Sequence, residues 1–105
     1  MANFLLLYTG GAMASPAEQE AVMAAWNAWF GKIQSSIVDA GNPFTPQAKS
    51  ISGNGTVSEG PVGELATGYT IIKADSLDAA VAVVKDCPAL HSGGKVTVYE
   101  TFPVM

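Results

Sequence analysis

The chain is 105 residues long, 49% apolar and only 13% charged, which excludes disorder and leaves one folding unit with too few charges to cover a monomer's surface. Five lysines, no arginine and nine acids give a net charge of −4, so the basic footprint and guanidinium forks that hold phosphate backbones are missing and nucleic acid is not an expected partner. One cysteine makes neither an intrachain disulfide nor a multi-cysteine zinc site, a usage that fits a cytoplasmic protein.

Phe4 to Tyr8 is apolar and runs into Thr9-Gly10-Gly11, which predicts a first strand over residues 3–8 followed by a turn. The run is not read as a secretory leader, because no basic residue precedes Lys32 and the apolar stretch is too short. Nowhere do the ~18 consecutive apolar residues of a membrane span occur. Ser15-Pro16-Ala17-Glu18 has the form of a capping box, with Pro16 where no N–H is needed. Val22, Trp26, Trp29, Phe30, Ile33 and Ile37 then follow at helical spacing, so one long amphipathic helix is expected to run until Gly41 stops it.

Asn42-Pro43 breaks the chain, and the segment from Phe44 to Ser52 reads as an extended second strand. It turns back at Asn54-Gly55 through Thr56 to Glu59. Gly68 to Ala74 is β-branched and aromatic, a third strand. Asp75-Ser76-Leu77-Asp78 carries cap-type residues that start a second helix, with Leu77, Ala80, Val81 and Val84 as its apolar stripe and Pro88 as its stop. Lys95 to Phe102 is the last strand.

The resulting order is β-α-β-β-α-β, an α+β fold of ferredoxin-like type with a four-stranded antiparallel sheet and both helices on one face. A sheet covered on one side should alternate apolar and polar residues. Phe4, Leu6 and Tyr8 take one parity, yet Leu5 and Leu7 take the other, and Tyr69 and Ile71 oppose Ile72 in the same way. Both faces therefore read as buried, and a second copy of the chain is expected over the uncovered one, giving a homodimer with two sheets face to face.

Four stretches resemble the YCII-related family: the strand from Phe4 to Tyr8, the Trp-bearing helix from Ala25 to Phe30, Glu59-Gly60-Pro61-Val62-Gly63-Glu64 leading to Gly68-Tyr69, and Ala74 to Ala80 running on to Cys87-Pro88. The resemblance spans nearly the whole chain. It implies a dimeric α/β barrel with a cleft between sheet and helices, and a biochemical function that is unassigned for most members, one branch being similar to lactone-processing dehalogenases. The chain departs from the D-G-P-F branch in having Glu59 for Asp and Val62 for Phe, and the early histidine of a proposed His–Asp dyad is missing. That dyad is not carried over.

The residues themselves offer few candidates for chemistry. His91 is the one side chain whose type titrates near neutrality, and Glu64, Glu59 or Glu100 could orient it as a general acid or base. Trp26 and Trp29, three apart on one helix face, with Tyr8, Tyr69 and Tyr99, could line an aromatic pocket; core packing explains them as well. Glu59 and Glu64 could be paired carboxylates at the cleft mouth. Cys87 sits at a helix C-terminus that disfavours a thiolate, and with His91 it supplies only two potential metal ligands, so no metal is expected. Gly10-Gly11 lacks the rest of any phosphate-loop signature, so no cofactor is assigned either. Three readings stand: a module binding a small apolar or aromatic molecule, an enzyme doing acid–base chemistry on a lactone-like substrate, and a structural dimer.

Overall fold

The computed structural model describes residues 2–11 and 16–103. The Ser15 cap lies outside them. Strand β1 (Ala2–Gly10) is followed by helix α1 (Pro16–Lys32), strand β2 (Ile37–Asp39), a hairpin of β3 (Lys49–Ile51) and β4 (Val57–Glu59), strand β5 (Ala66–Ala74), helix α2 (Leu77–Val84) and strand β6 (Gly94–Glu100). Strands β2, β5, β1 and β6 lie side by side in that order, every pair antiparallel, which is the ferredoxin-like arrangement. The hairpin is a separate two-stranded sheet.

β1 is central because its register satisfies both edges of its backbone: Leu6 pairs with Thr70 of β5 on one side and Val98 of β6 on the other. Its Phe4, Leu6 and Tyr8 join Thr70, Ile72 and Ala74 of β5 on the buried face. Trp29 and Ile33 from the α1 side and Ala80 and Val84 from α2 close over that face. α2 starts as the sequence predicts, the Ser76 hydroxyl accepting from the Ala79 amide at 3.1 Å. A short 3₁₀ turn from Pro88 to Ser92 leads to Gly93, whose φ of +81° turns the chain into β6. Asp39 accepts from the Gly41 amide at 2.9 Å. Gly41 itself has a φ of +73°, and a Cβ there would fall 1.8 Å from the carbonyl oxygen of Tyr69, so glycine alone lets the turn approach β5 this closely.

Two boundaries differ from expectation. The helix does not continue to Gly41: α1 ends at Lys32, a 3₁₀ turn over Gln34–Ser36 reverses the path, and Ile37 enters β2 opposite Ile72. Gly31, Ser35 and Ser36 weaken the helix just where its apolar spacing would have carried it on. The expected second strand and its return form β3–β4 outside the main sheet, and β2 takes the place in that sheet. The hairpin turn is formed at the expected place, with the Gly55 amide donating to the Ser52 carbonyl at 2.9 Å and Gly55 at φ +86°, a three-residue loop closed by a left-handed glycine.

The second face of the main sheet carries Leu5, Leu7, Tyr69 and Ile71, all half-buried, beside the exposed Tyr99. Leu5 sits between Ile71 and Tyr99, and Leu7 between Tyr69 and Thr97. Both helices pack on the other face.

Candidate functional site

α1 presents Ala21, Ala25, Trp26 and Trp29 toward the segment from Asp86 to His91, and a groove of about 620 Å³ runs between them. Helical spacing explains its wall: residues 22, 25, 26 and 29 share one face, and the small alanines leave open the space that the tryptophan edges border. Trp26 is held from behind by Tyr8, with ring centroids 5.2 Å apart at 76°, and lies edge-on to Trp29 at 5.8 Å. The Trp29 indole Nε1 is buried without a hydrogen-bond partner among the described residues.

Behind that aromatic pair, the Tyr8 hydroxyl donates to Thr70 Oγ1 at 2.7 Å, and Thr70 in turn donates to the Ala40 carbonyl at 2.9 Å. Burial pushes the Tyr8 phenol far above its ordinary pKa, outweighing the lowering effect of Thr70. It stays protonated at any ordinary pH, which suits a structural donor rather than a general base.

The groove's rim is polar. Lys32 Nζ bonds Asp86 Oδ2 at 2.7 Å across the gap between α1 and the end of α2. On the far side of this bridge a second hollow of about 310 Å³ is lined by Trp29, Ile33 and Val83 among others. The ion pair is therefore a strap between two hollows. The hydrogen bond and charge of Lys32 hold the Asp86 carboxyl below the usual carboxylate range. His91 is exposed on the 3₁₀ turn and lines the same groove.

Of the residues expected to form a site, the structure brings together Trp26, Trp29 and His91, with Tyr8 supporting Trp26. It does not bring Tyr69, Tyr99, Glu59 or Glu64 to them. Tyr69 projects from the other face of the sheet, because its strand neighbour Gly68 is the one that faces inward opposite Tyr8. There it stacks on Phe44 at 5.9 Å, and its hydroxyl donates to Asp39 Oδ2 at 3.2 Å, a carboxylate whose charge raises the phenol's pKa. Tyr99 shares that face. Glu59 is an exposed hairpin residue paired with Lys49 at 3.3 Å, and Glu64 pairs with Lys95 at 3.8 Å, so these two carboxylates neither pair with each other nor line the groove. Cys87 is wholly buried, and burial pushes its thiol up to about 11, far from a reactive thiolate. Lys32 and Asp86 were not read from the sequence; Lys32 follows Trp29 by three positions, a spacing that could have flagged it.

The arrangement defines an α+β domain with ferredoxin-like strand order, a helix-walled aromatic groove and one uncovered sheet face. The family model of the YCII-related domain matches residues 2–104, and the chain belongs to that family. Among solved structures it is similar to 5-chloro-2-hydroxyhydroquinone dehydrochlorinase from Burkholderia phenoliruptrix AC1100 in complex with 2,5-dihydroxybenzoquinone, with a TM-score of 0.56 and 19% identity over 94% of this chain and 93% of that one. That likeness establishes the fold. No curated protein matches the chain. No helix among the described residues is long and apolar enough to cross a membrane.

Proposed function

We propose that this YCII-related domain binds a small planar aromatic molecule in the groove between α1 and the Asp86–His91 segment, and that it does so as a homodimer closed over the open sheet face. The observation that carries the ligand reading is one surface that combines an apolar wall of alanine and tryptophan with a rim of Lys32, Asp86 and His91. Such a site takes the ring of a ligand against the wall and fixes a hydroxyl or carboxylate at the rim. The dehydrochlorinase that shares the fold is a protein of hydroxylated aromatics, which makes 2,5-dihydroxybenzoquinone and simple phenols the first probes.

Both tryptophans of the chain border the groove, so their fluorescence reports occupancy directly. Saturable quenching by these probes is expected, and Ala25→Leu, which fills the groove from an exposed helix position, should weaken it about tenfold or more at an unchanged melting temperature. Absence of quenching, or equal quenching in the filled variant, refutes the reading.

The enzymatic alternative rests on the position of His91, which stands on the rim within the field of Asp86 and could pass a proton to a ligand held there. If a probe is turned over, His91→Asn should abolish turnover while leaving quenching intact; retained turnover removes the histidine from the chemistry.

The dimer is supported by surface arithmetic. The chain exposes 7286 Å², whereas a globular monomer of this mass exposes about 5,500 Å². The surplus of about 1,700 Å² per chain matches what an obligate dimer buries per subunit, rather than the ~800 Å² of a standard interface. Sedimentation at micromolar concentration should give a dimer, and Leu7→Lys on the open face should give a monomer.

A further inference from the structure

The segment between β2 and β5 carries the β3–β4 hairpin, and every residue of its two strands is exposed except Ser50, which is half-buried. An isolated two-stranded hairpin is marginal in water unless one face is covered. Here the two faces differ. Ser50 pairs with Ser58 on one, while the other carries the Ile51–Val57 pair beside the Lys49–Glu59 ion pair. Ile51 is 71% exposed, Val57 56%, and Val62 just beyond them 89%. An apolar pair with a charge-balanced rim has the composition of a small interface rather than of a solvated loop.

The roots of the hairpin show where it belongs. Phe44, at its start, stacks on Tyr69, and Glu64, at its end, pairs with Lys95. Tyr69 and Lys95 both have the parity of the open sheet face, lying beside Leu7 and Thr9. The arm is thus rooted on residues of the face that the proposed dimer buries. The molecule is only 18 Å thick against 44 and 42 Å in its other directions, and the two strands of the arm pack chiefly on each other rather than on the helices or the main sheet.

We infer that the Lys49–Glu59 hairpin is an intermolecular arm, which docks through Ile51 and Val57 on a second copy of the chain. The inference rests on the dimer proposed above. Two-fold symmetry gives each copy one arm to extend and one to receive, so every arm contact is counted twice.

Subunit exchange between two differently labelled preparations of the full chain tests it. Ile51→Lys and Val57→Lys should each accelerate exchange tenfold or more, while Ser58→Lys, on the opposite side of the same hairpin, should leave the rate within about twofold of wild type. Equal acceleration by all three overturns the face assignment. Unchanged exchange in Ile51→Lys and Val57→Lys overturns the arm and leaves the dimer standing. A wild-type chain that sediments as a monomer overturns both. As a second measurement, amide exchange over residues 49–59 should slow in the wild-type dimer relative to the Leu7→Lys monomer; equal protection in the two counts against the arm.

Discussion

Removing one hydroxyl from Thr70 is expected to destabilise the domain more than removing one from Tyr8, although the two groups share a bond. In Tyr8→Phe the 2.7 Å bond is lost, but Thr70 keeps its donation to the Ala40 carbonyl at 2.9 Å. Only one net hydrogen bond disappears, about 1 kcal/mol. Thr70→Val deletes both bonds and leaves the Tyr8 hydroxyl buried against Trp26 with no acceptor. Stranding that donor costs about 1–3 kcal/mol beyond the bond to Ala40, itself about 1 kcal/mol, so a loss of about 2–4 kcal/mol is expected. The double variant strands no donor and should lose less than the sum of the two by about 1–3 kcal/mol. Urea unfolding followed by tryptophan fluorescence measures all three, with protomer concentration held fixed because a dimer's stability depends on it. Equal losses in the two single variants, or strict additivity, would show that the chain of hydroxyls does not act as described.

Three further outcomes are expected. Gly41→Ala should fail to fold or lose at least about 3 kcal/mol, since its Cβ would overlap the Tyr69 carbonyl in a left-handed turn; a circular dichroism melt close to wild type would contradict the geometry. Ser76→Ala should lower stability by about 1 kcal/mol through loss of the α2 cap, and Ser76→Asp should restore it. The Cys87 thiol, raised to about 11 by burial, stabilises the fold fully below its unfolded pKa of about 8.5, and that contribution drains away as pH rises toward the folded value. Urea midpoints of wild type should therefore fall more steeply between those limits than those of Cys87→Ala, and a thiol reagent at pH 8 should react only as fast as the chain opens.

How much of this was legible depended on whether a signal was local. The β1 run, the Ser76 cap and the Gly55 turn were readable because each is fixed by a few adjacent residues. The end of α1 was not, since Ile33 and Ile37 keep a four-residue spacing whichever structure they adopt, and only the pairing of Ile37 with Ile72 decides for a strand. The hairpin was found, but its place outside the sheet was not, because three-residue strands with polar partners carry no pattern that says which sheet they join. The site divides in the same way. Trp26 and Trp29 share a face by helical spacing alone, whereas Lys32 and Asp86 meet across two elements 54 residues apart. Composition places Tyr8 and Tyr69 in one aromatic set, and only the registration of β1 on β5 sends them to opposite faces.

The central position of β1 also governs how the chain must be assembled in time. The strand is made before the other three of its sheet, yet its neighbours are β5 and β6, and Leu6 waits for Val98 about 90 residues later. At about 5–20 residues per second, a ribosome takes several seconds to supply that partner. Until β5 is made Phe4 to Tyr8 is an apolar segment with no neighbour on either edge, and one edge stays open until β6 follows, the kind of sequence that pairs with another nascent chain if crowded. Long-range pairing of this sort slows folding after release as well. A slow synonymous codon placed before β6 should therefore lower soluble yield, while the same delay placed after β6 should not.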